Sequence, residues 1–241
     1  MMYGYFIWID PADISLEEMA QTSLPHAEDA TIGKQRQIVS PICLYYFQEV
    51  TMKALEERIL KDGKVLPGHI LQVGSFLNQQ IDTGLILEMG REIARLYEDT
   101  PITKILTIEA SGIAIAFAAA QFIRCPVLLT RKDKGANISD EVYHTVIHSY
   151  THGNDYTATL PKPYLSASDK VLIVDDFLAN GEALRGLMDL TAQSGAEVVG
   201  CAVAIEKGFQ GGGDALRARG IRVEALALIE TMSETALTFR P

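Results

Sequence analysis

The distribution of apolar residues divides the chain into an irregular first part and a regular remainder. Residues 1–51 contain one short helical pattern, near 14–20, and are interrupted by three prolines. From Met52 onward the apolar residues of MKALEERIL follow helical spacing, and a longer amphipathic helix is predicted over 82–97. The pattern therefore predicts a boundary near Met52, with an N-terminal extension over 1–51 and a folded domain over 52–241.

Beyond residue 100, short apolar runs alternate with helical patterns. Strands are predicted at 104–110, 126–132, 170–176, 197–207 and 222–230, and helices at 111–123, 180–195 and near 214–220. This alternation indicates βαβ units and an α/β fold with a central parallel sheet. The long polar segment 133–169 interrupts the series and is predicted to be a lid or hairpin over the sheet.

Composition and charge narrow the possible partners. The 241 residues are enough for one sizeable domain, and the net charge is −10. An acidic surface repels nucleic acid, so an anionic ligand needs a local cluster of donors, and no nucleic-acid partner is expected. The cysteines Cys43, Cys125 and Cys201 form no CxxC pair, which indicates a reducing compartment. The apolar N-terminal run is too short for a membrane span or a signal peptide, so we expect a cytoplasmic protein without a membrane partner.

The strongest candidate site follows the predicted strand 170–176. In VLIVDDFLANGEA, apolar residues precede Asp175 and Asp176, and the loop 179–183 then opens a helix. Gly181 lets backbone N–H groups approach an anion at the helix N-terminus, and two carboxylates suit sugar hydroxyls or a hydrated Mg²⁺. Together these features indicate a phosphoribosyl ligand. The alternative for an acid pair alone is a tight turn whose carboxylates cap the helix.

These residues carry a family resemblance. VLIVDDFLANGEA resembles the signature with which type I phosphoribosyltransferases bind PRPP, 5-phosphoribosyl 1-diphosphate. The segments ALEERIL, LQVGSFLNQQID, KILTIEASGIA, VLLTRKDK, AIEKGFQ and RVEALALI follow the order of the bacterial purine-salvage enzymes that act on xanthine. The resemblance covers 52–241 and implies the Rossmann-like type I phosphoribosyltransferase fold, with a central parallel sheet, a small hood and a mobile lid.

The resemblance also implies an activity. It is the transfer of the phosphoribosyl group from PRPP to xanthine, giving xanthosine 5′-monophosphate and pyrophosphate, in a homodimer. Mg²⁺ would be reached through PRPP, without a protein-only metal site. Two alternatives remain: the same transfer to another purine such as guanine or hypoxanthine, and a PRPP-binding transcription regulator without catalysis. The regulator is disfavoured because the extension has a net charge of −5 and no basic helix pair.

Roles for individual residues follow from the same resemblance. Asp175 and Asp176 would hold the ribose as the catalytic pair. The purine would contact Leu71, Asn78 and Lys207; the 5′-phosphate would contact Ala179, Asn180, Gly181, Glu182 and Ala183; the diphosphate would contact Glu109, Ala110, Ser111, Gly112, Arg131 and Lys132. Simpler readings are a core position for Leu71, a solvated strand end for Lys207, and a basic start of the lid for Arg131 and Lys132.

Two features leave structural alternatives open. His144, His148 and His152 are spaced by four residues, as zinc ligands on a helix are, but the intervening residues favour a strand, so a hairpin face is predicted. The extension 1–51 is either a genuine arm or the product of a start codon assigned too far upstream.

Overall fold

Strands and helices alternate through residues 53–133, 141–149 and 154–240, which a computed structural model describes. The strands are β1 Lys64–Leu66, β2 Ile70–Gln72, β3 Lys104–Ile108, β4 Val127–Asp133, β5 Val142–Ser149, β6 Asn154–Pro161, β7 Lys170–Leu178, β8 Glu197–Lys207, β9 Val223–Met232 and β10 Leu237–Phe239. The helices are α1 over 53–62, α2 Thr83–Leu96, α3 Gly112–Ile123, α4 Glu182–Ser194 and α5 Gly212–Arg217. The predicted extension 1–51 lies outside these residues.

The main sheet has the order β10-β9-β8-β7-β3-β4-β6-β5. Its central strands β9, β8, β7, β3 and β4 are mutually parallel, which confirms the predicted α/β class. Alternate residues of β7 face opposite layers: Leu172 and Val174 pack with α2 and α3, whereas Val171 and Ile173 pack with α4. Burial on both faces explains why this strand is a continuous apolar run.

The polar segment 133–169 adds strands to the sheet. β5 and β6 form an antiparallel hairpin, and β6 pairs with β4 through Arg131 and Thr159. The described part of this segment forms the predicted hairpin, but it extends the sheet at its edge instead of lying over it. His144 and His148 lie in β5, which confirms the predicted hairpin face over the helical alternative, and His152 falls outside the described residues. Among the described residues, no group of three or more His, Cys, Asp or Glu could hold a metal ion.

A small subdomain precedes the main sheet. It consists of α1, the β1–β2 hairpin and the π-helical turn Gly74–Asn78, and it corresponds to the expected hood. Phe76 and Leu77 of this turn are buried in the same core as α2 and α3, which anchors the hood to the domain. No helix in the described ranges has the length and apolar character needed to cross a membrane.

Candidate functional site

The central strands end at a cavity of about 420 Å³. Parallel strands bring their carboxyl ends to one edge of a sheet, so loops distant in sequence meet there. The residues that line this cavity and were predicted from the sequence are Glu109, Ala110, Ser111, Lys132, Asp175, Asp176, Ala179, Asn180, Gly181, Glu182, Ala183 and Lys207. The structure therefore brings most of the predicted groups together.

The acid pair ends the buried run of β7. Asp175 is 5% exposed, and its Oδ1 accepts a hydrogen bond of 3.0 Å from the backbone N–H of Asp176. Burial and the adjacent Asp176 raise the pKa of Asp175 well above its ordinary value. Burial likewise raises the pKa of Asp176. Two carboxylates held this close favour ligands that donate hydrogen bonds or carry positive charge.

The loop after β3 passes directly beside the acid pair. A Cβ atom at Gly112 would lie 2.3 Å from Thr107 Oγ1 and 3.0 Å from Asp175 Oδ1, so only glycine fits. The peptide bond between Glu109 and Ala110 is cis. The carboxylate of Glu109 accepts a 2.8 Å hydrogen bond from the backbone N–H of Lys132, which ties this loop to β4.

The loop 179–183 leads into the N-terminus of α4. Gly181 has a φ of 85° and stands immediately before α4, so its backbone adopts the left-handed conformation that glycine tolerates. A Cβ atom at Gly212 would lie 2.2 Å from the carbonyl oxygen of Ala179, so the start of α5 packs directly against the loop. Gly211, with a φ of 74°, precedes α5, and Gly212 and Gly213 are the first residues of that helix.

Lys207 connects the hood to the end of β8. Its Nζ donates a 2.8 Å hydrogen bond to the carbonyl oxygen of His69 and lies 5.6 Å from the ring centroid of Phe177. His69 sits in the β1–β2 turn with a φ of 59°, and its ring lies 5.4 Å from that of Phe209. Burial lowers the pKa of Lys207. The lysine is therefore a partly desolvated cation on the cavity wall, not a solvated strand end.

Four predicted residues do not line this cavity. Leu71 is 7% exposed and belongs to the core, and with Asn78 it lines a separate cavity of about 300 Å³ in the hood. Arg131 is exposed in β4, where it pairs with β6. Gly112 begins α3 and packs against Thr107 and Asp175 without lining the cavity. The structure therefore places Leu71, Asn78 and Arg131 outside the cavity that contains the acid pair.

The cavity also contains residues that the sequence reasoning did not identify. Phe177 directly follows the acid pair, and Gln210 lies three residues after Lys207. Because both are next to predicted site residues in the sequence, they could have been identified as candidates. Tyr156 and His148 come from the β5–β6 hairpin, whose pairing no local pattern reveals. His148 Nδ1 lies 2.6 Å from Asp155 Oδ1, and burial with the nearby Asp175 raises the pKa of Tyr156 to about 12. The Lys132 ammonium lies 5.0 Å from the Tyr156 ring centroid.

Sequence comparison identifies the family. The phosphoribosyl transferase domain profile matches residues 79–215, which include the acid pair and the loop 179–183. The chain belongs to the phosphoribosyltransferase family. A xanthine phosphoribosyltransferase from Lachnoclostridium phytofermentans is 52% identical over 182 residues, covering 76% of this chain and 94% of the relative. Another from Lactobacillus delbrueckii subsp. bulgaricus is 48% identical over 188 residues, covering 78% of this chain and 100% of the relative.

Solved structures show the same phosphoribosyltransferase fold. An adenine phosphoribosyltransferase from Rhodothermus marinus superimposes with a TM-score of 0.60 at 20% identity, covering 75% of this chain and 98% of that one. An adenine phosphoribosyltransferase from Giardia lamblia gives 0.61 at 19% identity, covering 74% and 98%. The expected type I fold is confirmed. The similarities give no support to the alternative of a purine-responsive regulator.

Proposed function

We propose that the protein transfers the 5-phosphoribosyl group from PRPP to xanthine, forming xanthosine 5′-monophosphate and pyrophosphate. The observation that carries this proposal is the convergence of an acid pair, a helix-capping glycine loop and a partly buried lysine on one cavity. Each group suits a different part of the two substrates. The kinship with enzymes named for xanthine supports the choice of base.

The phosphoribosyl group of PRPP fits the acid pair near the carboxyl end of β7 and the loop at the N-terminus of α4. Backbone N–H groups of 179–183 would bind the 5′-phosphate, because the N-terminus of α4 adds favourable dipole potential. Asp175 and Asp176 would accept hydrogen bonds from the ribose hydroxyls, which stabilises carboxylates that burial otherwise disfavours. This arrangement holds C1′ in a fixed place for attack.

The diphosphate would leave towards the loop after β3. Backbone N–H groups of Glu109, Ala110, Ser111 and Gly112 would bind it, with Arg131 and Lys132 supplying positive charge. The adjacent carboxylates fit a Mg²⁺ ion that arrives with PRPP, since this ion prefers oxygen ligands and retains several from its substrate or water. When bound, Mg²⁺ neutralises charge on the leaving diphosphate.

The purine would lie between Lys207 and the hood, with N9 facing C1′. The Lys207 ammonium would donate to a purine carbonyl, and Phe177 offers an aromatic face beside it. Contacts from Leu71 and Asn78 remain a prediction, and they require the hood to shift when xanthine binds. The β5–β6 hairpin would act as the lid, because His148 and Tyr156 on the cavity wall help to exclude water from PRPP.

The proposal extends to assembly and location. An apolar groove between α3 and β4, with Phe117 61% exposed and Leu129 43% exposed, supports a homodimer. Cys125 and Cys201 are free thiols in the described structure, which suits the reducing cytoplasm.

The direct test is nucleotide formation by the purified protein with Mg²⁺ and PRPP. Xanthine, guanine, hypoxanthine and adenine are offered separately, and we expect the largest kcat/KM with xanthine. A larger value with another base would overturn the specificity while leaving the transfer reaction in place. PRPP binding without turnover of any base would overturn the enzymatic proposal.

A further inference from the structure

One side chain on the cavity wall has an unused hydrogen-bonding group. Gln210 lines the same cavity as Lys207. Its Oε1 is shielded from solvent and has no hydrogen-bond partner within the described residues. A buried amide oxygen without a hydrogen-bond partner is energetically unfavourable. Because Oε1 has no partner to lose, the side chain can turn towards a ligand and gain a hydrogen bond there.

The local backbone places Gln210 beside the base contact. β8 ends at Lys207, and the 3₁₀ turn Gly208–Gln210 follows without interruption. Gln210 is therefore only three residues from Lys207, and both side chains line the same cavity. Gly211, with a φ of 74°, ends the turn, and its N–H donates a 2.9 Å hydrogen bond to the carbonyl oxygen of Gly208. The short turn therefore keeps Gln210 close to Lys207 on the cavity wall.

We propose that Gln210 determines purine specificity by binding the N1–C2 edge of xanthine. This inference rests on the proposed function. The Gln210 oxygen would accept the N1–H, and the Gln210 amide N–H would donate to the carbonyl oxygen at C2. Lys207 would bind the neighbouring carbonyl at C6. The two side chains thus match three consecutive groups along one edge of the base, which are acceptor, donor and acceptor.

The same edge differs in the competing purines. Guanine carries an amino group at C2, so its N1–H and C2 amino group are both donors. In this arrangement the Gln210 amide N–H would face the amino group, which offers it no acceptor. Hypoxanthine has only hydrogen at C2, which leaves the amide N–H without a partner. A site built to bind a polar group discriminates strongly against analogues that leave its own polar group unpaired.

The test couples a change in the side chain to a change in the base. Gln210→Met keeps the length of the side chain and removes both polar atoms. We expect kcat/KM for xanthine to fall about 10-fold to 100-fold, as for the loss of two hydrogen bonds, with a clearly smaller fall for hypoxanthine. The KM for PRPP should stay unchanged. Equal losses for xanthine and hypoxanthine would overturn the proposal, because the variant would then act on packing alone.

A second variant keeps the proposal testable if Gln210→Met fails to fold. Gln210→Glu replaces the amide by a carboxylate, which accepts hydrogen bonds from N1–H and the C2 amino group and repels a C2 carbonyl oxygen. We expect the ratio of kcat/KM for guanine to that for xanthine to rise at least about 10-fold. An unchanged ratio would overturn the role of Gln210.

The matched control is Gln80→Met, because Gln80 is exposed and lines neither cavity. This control should leave kcat/KM unchanged for all four bases. Wild-type protein that does not use xanthine would instead overturn the proposed function, so the two failures are distinguishable.

Discussion

Two side chains in the cavity are held in environments that disfavour their charged forms. Burial raises the pKa of Asp175 and lowers that of Lys207, so each charge destabilises the empty site. A ribose hydroxyl or a purine carbonyl would compensate for part of this loss when bound. A carboxylate outside the cavity has the opposite signature: Asp169, just before β7, is half-buried, accepts hydrogen bonds from Thr103 and Ser166, and has a lowered pKa.

Replacement of Asp175 and Asp176 by asparagine together should abolish turnover and raise the thermal stability at neutral pH. The folded pKa of each carboxyl lies above its unfolded value of about 3.9, so the native charges destabilise the fold at pH 7. We expect a gain in Tm of a few °C, since about 1 kcal/mol corresponds to about 2–4 °C in a domain of this size. The gain should disappear as the pH falls below the unfolded pKa, where the carboxyls are protonated in both the folded and the unfolded state.

Calorimetry across pH together with steady-state kinetics checks this expectation. Asp169→Asn is the matched control, because removing a carboxyl with a lowered pKa should lower Tm at neutral pH and leave turnover unchanged. Unchanged kcat/KM in the double variant would show that the acid pair is outside the active site.

Lys207→Ala should raise the KM for the base about 10-fold or more and leave the KM for PRPP nearly unchanged, because a hydrogen bond from a charged donor to the purine is lost. The measurement is the KM for each substrate at saturating levels of the other. Lys170→Ala is the control, since Lys170 begins β7 at the opposite edge of the sheet. Equal increases in both KM values would exclude a base contact at Lys207.

At the scale of elements, the loop 179–183 depends on a neighbour far along the chain. The start of α5 packs against 179–181 so closely that a Cβ atom at Gly212 would lie 2.2 Å from Ala179 O and 2.6 Å from Asn180 C. These are backbone atoms and cannot turn aside as a side chain does. The position of the loop therefore depends on its close contact with Gly212, and not on its own sequence alone.

Gly212→Ala should displace the loop and raise the KM for PRPP more than the KM for the base. Overpacking of this kind typically costs about 1–3 kcal/mol, so we also expect a lower Tm. Kinetics for both substrates and a thermal melt check the two effects. Gly84→Ala in α2 is the control, because a Cβ atom there would meet only Asp82 Oδ1 at 3.5 Å. A variant that loses stability without any change in the KM for PRPP would contradict the link to the loop.

At the scale of the whole molecule, the proposed homodimer depends on the groove between α3 and β4. Phe117→Asp would place a charge among exposed apolar side chains that a partner is expected to bury. We expect sedimentation at twice 26.4 kDa for the wild type and at 26.4 kDa for the variant. Val146→Asp is the control, since Val146 is 66% exposed in β5 at the edge of the sheet. A monomeric wild type would show that the homodimer prediction is wrong.

Several elements could be predicted because their signals are local. The limits 197–207 predicted for β8 match the structure, and the helix predicted over 111–123 begins one residue later. β1, β2 and β10 were not predicted, because three-residue strands have too few positions to show a period of two. Their hydrogen bonds come from pairing with distant or neighbouring strands, which a single window of sequence does not contain.

The sequence by itself determined the α/β class, the order of the main elements and the acid pair with its glycine loop, because burial on both faces of a strand and a helix-capping turn leave local patterns. Only the tertiary structure decided that Lys207 is bonded to the His69 carbonyl, that Tyr156 and Gln210 line the cavity, and that Leu71 and Asn78 face another one. The physical reason is that these contacts join segments far apart in the sequence, which strand pairing and close packing bring together. The distances between their side chains therefore depend on the whole sheet.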